Sequence, residues 1–371
     1  MKISSRIITT DRTPIFFGHD SLAALEKILG SLLPDTIIIL VDTNTRNHCL
    51  PVLLSKVPSL DKAQILEIQE GETGKSLATA EKLWAALMNS GIGRNTLLVN
   101  LGGGVISDLG GFVAAGYLRG IRYINVPTSL IGQADAAIGG KTGVNLGEVK
   151  NQVGFLYPAQ AVVIFPGFLK TLPAEHLRSG LAEIVKSALV GDAIAWRRIN
   201  KHPVKYLVNL PVEDTLWCNM IAGAIKLKNK VVMQDFRERK LRKVLNFGHT
   251  IGHALEAHSH RQNGSPLLHG DAVAAGMVCA AYLSYRKSGL GLSDYQAIKN
   301  YLTGGFPCVP VDPVSFPAIM ELMKHDKKRR SGQLQFTLIS KPGYPRINIS
   351  CDEEEILDAL AHFNVSTANP E

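Results

Sequence analysis

The sequence predicts an α/β N-terminal domain with a Rossmann-like, mostly parallel sheet, followed by a mainly α-helical C-terminal domain. Two observations carry this. Up to about residue 170, β-branched runs of strand length alternate with helix-length stretches; beyond it, helical patterns recur almost alone. A length of 371 residues, 46% hydrophobic and 19% charged, is enough to bury two cores.

Taken in order, Ser21–Leu32 reads as the first helix and Thr36–Asp42 (TIIILVD) as an apolar strand closing on an acid. Lys75–Met88 reads as helix, Thr96–Leu101 (TLLVNL) as strand, Ile106–Tyr117 as helix and Arg122–Pro127 (RYINVP) as strand. Val162–Pro166 is a shorter fourth strand. Pro173 then opens a helix over Ala174–Val190, its missing amide proton being harmless at a first turn. Further helices are expected at Asp214–Gln234, Asn246–Ala257, Gly270–Ser288 and Asp294–Leu302, then a strand at Gln333–Ile339 and a terminal helix at Glu353–Phe363. The domains are accordingly 1–170 and 171–371, and a cleft between them is the default place for a site.

A formal charge of +8 suits nucleic acid, an anionic surface or a small phosphorylated anion. The basic clusters, Arg237–Lys240 and Lys324–Arg330, are short, and 6% aromatics without basic interleaving argue against a nucleic-acid track. Five scattered cysteines form no CxxC pair. The N-terminus MKISSRIITTDR lacks a signal-peptide core, and no apolar run reaches membrane-spanning length. A cytoplasmic protein is expected.

Four patches carry chemistry. In NFGHTIGHALE, His249 and His253 are four apart and leave one face of a helix; His269 follows in LLHGD. Spacing alone leaves a metal site and ordinary core histidines both open. Gly102-Gly103-Gly104 follows a strand, with Asp108 in the next helical turn and Asp42 ending an earlier strand, a weak dinucleotide signal without the third fingerprint glycine. Gly140-Lys141-Thr142 resembles the end of a Walker loop, but the residue that must be its first glycine is Asp135, so phosphoryl transfer from ATP is discarded. What remains is a glycine-flexed loop carrying Lys141, Lys150 and Asn151 for a small anion. In LAEIVK, Glu183 and Lys186 share a helix face, either as an exposed salt bridge or with Glu183 as the ligand that two histidines lack. Lys226, Lys228 and Arg242 add cations before the histidine helix.

Read together, GGGVISDLGGFVAAGYLRG, VPTSLIGQADAAIGGKTGVN, KNQVGFLYP, LPAEHLRSGLAEIVKSAL, LRKVLNFGHTIGHALE and LLHGDAVAAGM closely resemble the 3-dehydroquinate synthase family of sugar phosphate cyclases, over roughly residues 36–290. The resemblance implies that Glu183, His249 and His269 bind one divalent metal, zinc or cobalt, with His253 contacting substrate instead. Lys141, Lys186, Lys228 and Arg242 would line the substrate cavity with Asn151, Asn246, Asp135 and Arg119. Lys327 or Lys328 would close it. NAD would meet Asp42, Glu72, Lys75, Gly103, Gly104 and Asp108, then Thr128, Ser129, Thr171 and Leu172, with Lys141 and Lys150 also near.

The implied activity converts 3-deoxy-D-arabino-heptulosonate 7-phosphate, a small phosphorylated sugar acid, to 3-dehydroquinate, in a homodimer that needs neither nucleic acid nor membrane. The rivals are a related cyclase acting on another sugar such as sedoheptulose 7-phosphate, a metal-dependent polyol dehydrogenase, and a non-catalytic NAD-binding protein. Four departures stand out: Ser129 for a usual threonine, Gly143 with the GEVK insertion, a longer spacer before His269, and Asp271 for a usual glutamate.

Overall fold

The computed structural model describes residues 6–8, 13–147, 149–262, 266–324, 329–330 and 333–368. The chain divides into two compact units, Met1–Pro173 with Pro211–Asn229, and Ala174–Leu210 with Lys230–Glu371. The first unit therefore takes back a segment that a single cut near residue 170 leaves in the second.

The first unit contains β1 (Arg6–Ile8), β2 (Ile15–Phe17), α1 (Ser21–Leu32), β3 (Thr36–Asp42), α2 (Thr43–His48), α3 (Leu50–Lys56) and β4 (Gln64–Ile68). It continues through α4 (Leu77–Asn89), β5 (Thr96–Gly102), α5 (Gly104–Gly116), β6 (Arg122–Pro127), β7 (Lys141–Leu146), β8 (Val149–Leu156) and β9 (Ala161–Ile164). One sheet runs β1-β2-β9-β6-β5-β3-β4, parallel throughout except for β1 at its edge.

Strand β5 is buried end to end because both faces are covered. Leu97, Val99 and Leu101 join one core with α1 and α3, and Leu98 joins another with α4 and α5. β3 lies between β4 and β5, so the chain leaves it first to one side and then to the other. Such a reversal opens a crevice at the carboxyl ends of the strands. Here Asp42 and Gly102 end the two strands at the same level of the ladder.

Three features differ from the sequence reading. β2 and β4 are short strands at or near the sheet edges: β2 is apolar but only three residues long, and β4 is mostly exposed and interrupted by polar residues. The stretch expected as a flexible glycine loop is instead the antiparallel β7–β8 hairpin. Its glycines serve close approach: Gly143 faces Gly154, where a β-carbon would stand 2.1 Å from the Thr142 carbonyl oxygen.

The second unit holds α6 (Ala174–Gly191), α7 (Ala193–Ile199) and α8 (Val204–Val208); α9 (Thr215–Gln234) follows, belonging to the first unit up to Asn229. Then come α10 (His249–Ser259), α11 (His269–Lys287), α12 (Leu292–Gly305), α13 (Phe316–Lys324) and α14 (Glu353–Ala368), with a small sheet of β10 (Arg329–Arg330), β11 (Gln333–Lys341) and β12 (Tyr344–Cys351). Helix α11 is buried from Gly270 to Ser284. Its small side chains let neighbours close in from several sides. A β-carbon on Gly276 would lie 2.0 Å from the Gly248 carbonyl oxygen, and one on Gly270 would lie 1.9 Å from that of Ser179. Glycine thus draws α10 and α6 onto α11. No helix among the described residues is long and apolar enough to cross a membrane.

Candidate metal centre and cofactor site

Three helices of the second unit bring the metal candidates together. Gly248, at φ +79°, takes the left-handed turn that starts α10, and His249 and His253 leave the same face of that helix. His269 is the first residue of α11, and Glu183 lies in the buried middle of α6. The ligating nitrogens of His249, His253 and His269 all lie within 4.8 Å of one another. One Glu183 oxygen, Oε1, stands 3.5 Å from His249 Nε2 and 3.6 Å from His269 Nε2.

Two ligands of a tetrahedral zinc ion, each about 2.1 Å from it, stand about 3.4 Å apart. The donor set Glu183, His249 and His269 therefore fits a divalent ion. The remaining valences agree. His249 Nδ1 lies 3.2 Å from the Phe247 carbonyl, which turns Nε2 toward Glu183. Glu183 Oε1 is buried without a hydrogen-bond partner, and Oε2 is taken by Lys186.

Lys186 forms an ion pair with Glu183, and both side chains are only 1% exposed. The exposed salt bridge considered from sequence is thus a buried one. Burial pushes the Glu183 carboxyl upward, but the Lys186 ammonium and the His269 imidazole outweigh it and hold the group well below the usual carboxylate range. Burial depresses the His269 imidazole in turn, and Glu256 and Glu183 overcome this and lift it to about 10. Metal binding must displace that proton. Asp271 receives Nε and Nη2 of Arg178, both at 3.0 Å, so the departure at this position is a bidentate clasp between α6 and α11.

The approach to α10 is held by Asp235. Its carboxylate accepts the backbone N–H groups of Arg239, Lys240 and Arg242 at 2.9, 2.7 and 3.0 Å. Arg242 is buried and donates from Nη1 to the Phe236 carbonyl at 2.9 Å. Asn246 donates to Glu238 Oε1 at 2.9 Å, and Glu238 itself sits at φ +54°.

In the first unit, Gly103 caps α5, and its position is packed against Ser129, whose Oγ would be 3.1 Å from a β-carbon there. A backbone turn this tight at a helix N-terminus is suited to a pyrophosphate. Gly104 follows as the first helical residue, and buried Thr128 donates its N–H to the Gly102 carbonyl at 3.0 Å. Asp42 caps α2 through Oδ1, which accepts from Thr45 N at 2.8 Å; Oδ2 takes no part in that cap. Buried Lys75 reaches Asp108 Oδ2 at 2.6 Å and Asn151 Oδ1 at 2.5 Å. Burial raises the Asp108 carboxyl against the opposing pull of Lys75.

Glu72 accepts from Asn145 at 2.8 Å, and Lys228 reaches Asp135 at Oδ1 (2.7 Å) and at its carbonyl (2.6 Å). Lys141 and Arg119 are exposed, Arg119 at φ +66°, and Lys150 is half-buried on β8. Thr171 and Leu172 end the short 3-10 turn after β9. Lys327 and Lys328 lie outside the described residues. Sequence reasoning missed Glu256, Glu238, Asn145 and Arg178, each of which reads as an ordinary polar surface residue until its partner is known.

Residues 65–179 match the family model for the 3-dehydroquinate synthase N-terminal domain, and residues 180–329 match that for the C-terminal domain. The 3-dehydroquinate synthase of Parabacteroides distasonis is 40% identical over 348 residues, covering 94% of this chain and 96% of its own. That of Geobacillus kaustophilus is 36% identical, covering 95% and 96%.

Among solved structures, 2-deoxy-scyllo-inosose synthase complexed with carbaglucose-6-phosphate, NAD+ and Co2+ superposes with a TM-score of 0.83 at 26% identity, covering 97% of this chain and 99% of that one. The 2-epi-5-epi-valiolone synthase of Streptomyces hygroscopicus, with NAD+ and Zn2+ bound, gives 0.82 at 28% identity, covering 98% and 99%. With both family models matched in tandem and relatives alike over nearly their full length, the chain belongs to the 3-dehydroquinate synthase family.

Proposed function

We propose that the chain converts 3-deoxy-D-arabino-heptulosonate 7-phosphate to 3-dehydroquinate and phosphate. The substrate is oxidised transiently at C5, loses phosphate by elimination, is reduced again, opens its ring and closes by an intramolecular aldol step. The observation that carries this reading is the single Glu183 oxygen at 3.5 and 3.6 Å from the two histidine Nε2 atoms. When bound, NAD supplies the hydride acceptor and a zinc or cobalt ion the Lewis acid.

Glu183, His249 and His269 are assigned to the metal. Lys186 holds Glu183 ionised, and His253, beside the ligand histidines, is assigned to the substrate hydroxyls or phosphate. In the second unit, Arg242 and Asn246 are assigned to the substrate's anionic groups. In the first, Lys141, Asn151, Lys228, Asp135 and Arg119 are given the same task. Fixed cations orient a flexible molecule through several steps and stabilise charge as it develops.

Asp42 and the turn at Gly103 and Gly104 are assigned to NAD, with Glu72, Lys75, Asp108, Thr128 and Ser129, and with Lys150, Thr171 and Leu172 at the margin. The first domain is thus the NAD-binding one and the second the metal- and substrate-binding one. The reaction class is a carbon–oxygen lyase. A cytoplasmic homodimer is proposed as well; five cysteines without a disulfide suit a reducing compartment.

The test is phosphate release from the heptulosonate phosphate and from sedoheptulose 7-phosphate, with and without chelator, while absorbance of NADH is followed. Release from the first sugar alone, abolished by chelator and without net NADH, is expected. Release from the second instead would move the assignment to another cyclase, and net NADH would move it to a dehydrogenase.

A further inference from the structure

Helix α10 carries a third residue on its histidine face. Glu256 follows His249 by seven positions and His253 by three, so all three lie along one stripe. It is 3% exposed, an unusual environment for a carboxylate. Its Oε2 lies 3.1 Å from His269 Nδ1, across the α10–α11 packing. The other nitrogen of that ring, Nε2, is the one 3.6 Å from Glu183 Oε1.

An ionised carboxylate can only accept, so this contact keeps a proton on Nδ1 and leaves Nε2 as the nitrogen that offers a lone pair once a metal displaces its proton. His249 has its Nδ1 beside a neutral backbone carbonyl instead. The two histidines are therefore oriented by unlike groups, a backbone carbonyl beside His249 and a carboxylate beside His269. A carboxylate behind an imidazole raises its basicity and strengthens the bond that it makes to a metal.

We propose that Glu256 is a positioning residue that sets the tautomer of His269 and strengthens its hold on the metal, an inference that rests on the assignment of Glu183, His249 and His269 as the ligands. Replacement by alanine removes both the acceptor and its charge. Replacement by glutamine keeps an acceptor and removes the charge.

The test is competitive zinc titration of the full-length metal-free protein against a chromophoric chelator, with visible spectra of the Co2+-loaded protein, for wild type, E256A, E256Q and H269A. E256A is expected to bind zinc 10- to 100-fold more weakly with a changed cobalt spectrum, and E256Q to fall between it and wild type. A merely structural role would lower thermal stability and leave zinc affinity and the cobalt spectrum alone. Should E256A not fold, E256Q decides: wild-type zinc affinity and an unchanged cobalt spectrum overturn the proposal. H269A separates the two levels. If it loses zinc while the Glu256 variants do not, only this inference fails; if it binds zinc like wild type, the ligand assignment fails first.

Discussion

Gly276 packs against the backbone of Gly248 so closely that an added β-carbon would stand 2.0 Å from the Gly248 carbonyl oxygen. G276A must push α11 away from α10 and with it His269 from His249. Overpacking of this kind costs about 1–3 kcal/mol, against the roughly 1 kcal/mol that alanine returns in helix propensity. We expect a lower melting temperature together with weaker zinc retention on dialysis. Normal zinc content in a destabilised variant would separate the packing from the site.

Lys186 neutralises a carboxylate that has no access to water. K186M removes the closer of the two cations facing Glu183 and leaves His269, and breaking a buried pair in this way costs up to about 3–5 kcal/mol. Urea unfolding of the metal-free variant should show that loss, and saturating zinc should shrink the gap to wild type by supplying a replacement charge. An equal gap with and without zinc would argue that Glu183 is not a ligand.

Asp42 has two tasks that can be separated. As the cap of α2 it can be replaced by serine but not by alanine, which costs about 1 kcal/mol. As the proposed ribose acceptor it can be replaced by neither. D42S should keep wild-type stability and D42A should not, while both bind NAD more weakly by fluorescence titration.

Asp235 ties down the approach to the histidine helix with three backbone N–H bonds. Partial burial raises its carboxyl, and the amides of Arg242, Lys240 and Arg239 outweigh this and lower it from 3.8. A lowered value means that the folded state prefers the ionised form, so the stabilisation is complete above 3.8 and vanishes as pH falls through the folded value. D235N should therefore be less stable than wild type at pH 6, with the difference closing as the pH falls further below 3.8 in urea titrations.

Much of this was legible in the chain. TIIILVD and TLLVNL read as strands because both faces of a central parallel strand are buried, and the ends of α1 and α6 lie within a residue of where capping and periodicity put them. The hairpin was not legible, because Gly143 and Gly154 break the alternation that marks a strand while meeting a packing need invisible in sequence. Glu183 could be picked out as a ligand candidate from its apolar surroundings. Glu256 could not, since an acid three residues before the end of a helix is ordinary until another helix is laid over it. Spacing alone coupled His249 to His253; the fold gives both the same neighbour, His269.

The helix contact made by Gly248 and Gly276 has a consequence for how this protein tolerates change in length. The geometry of the histidines is set where α10 crosses α11, rather than by the length of the connection after Ser259. Doubling such a connection costs about 0.6 kcal/mol of chain entropy. The interval between GHALE and HGD can therefore drift at little cost, whereas one methyl group at the crossing is barred by steric overlap. The tolerance of this centre to change is set by its glycines rather than by its spacing.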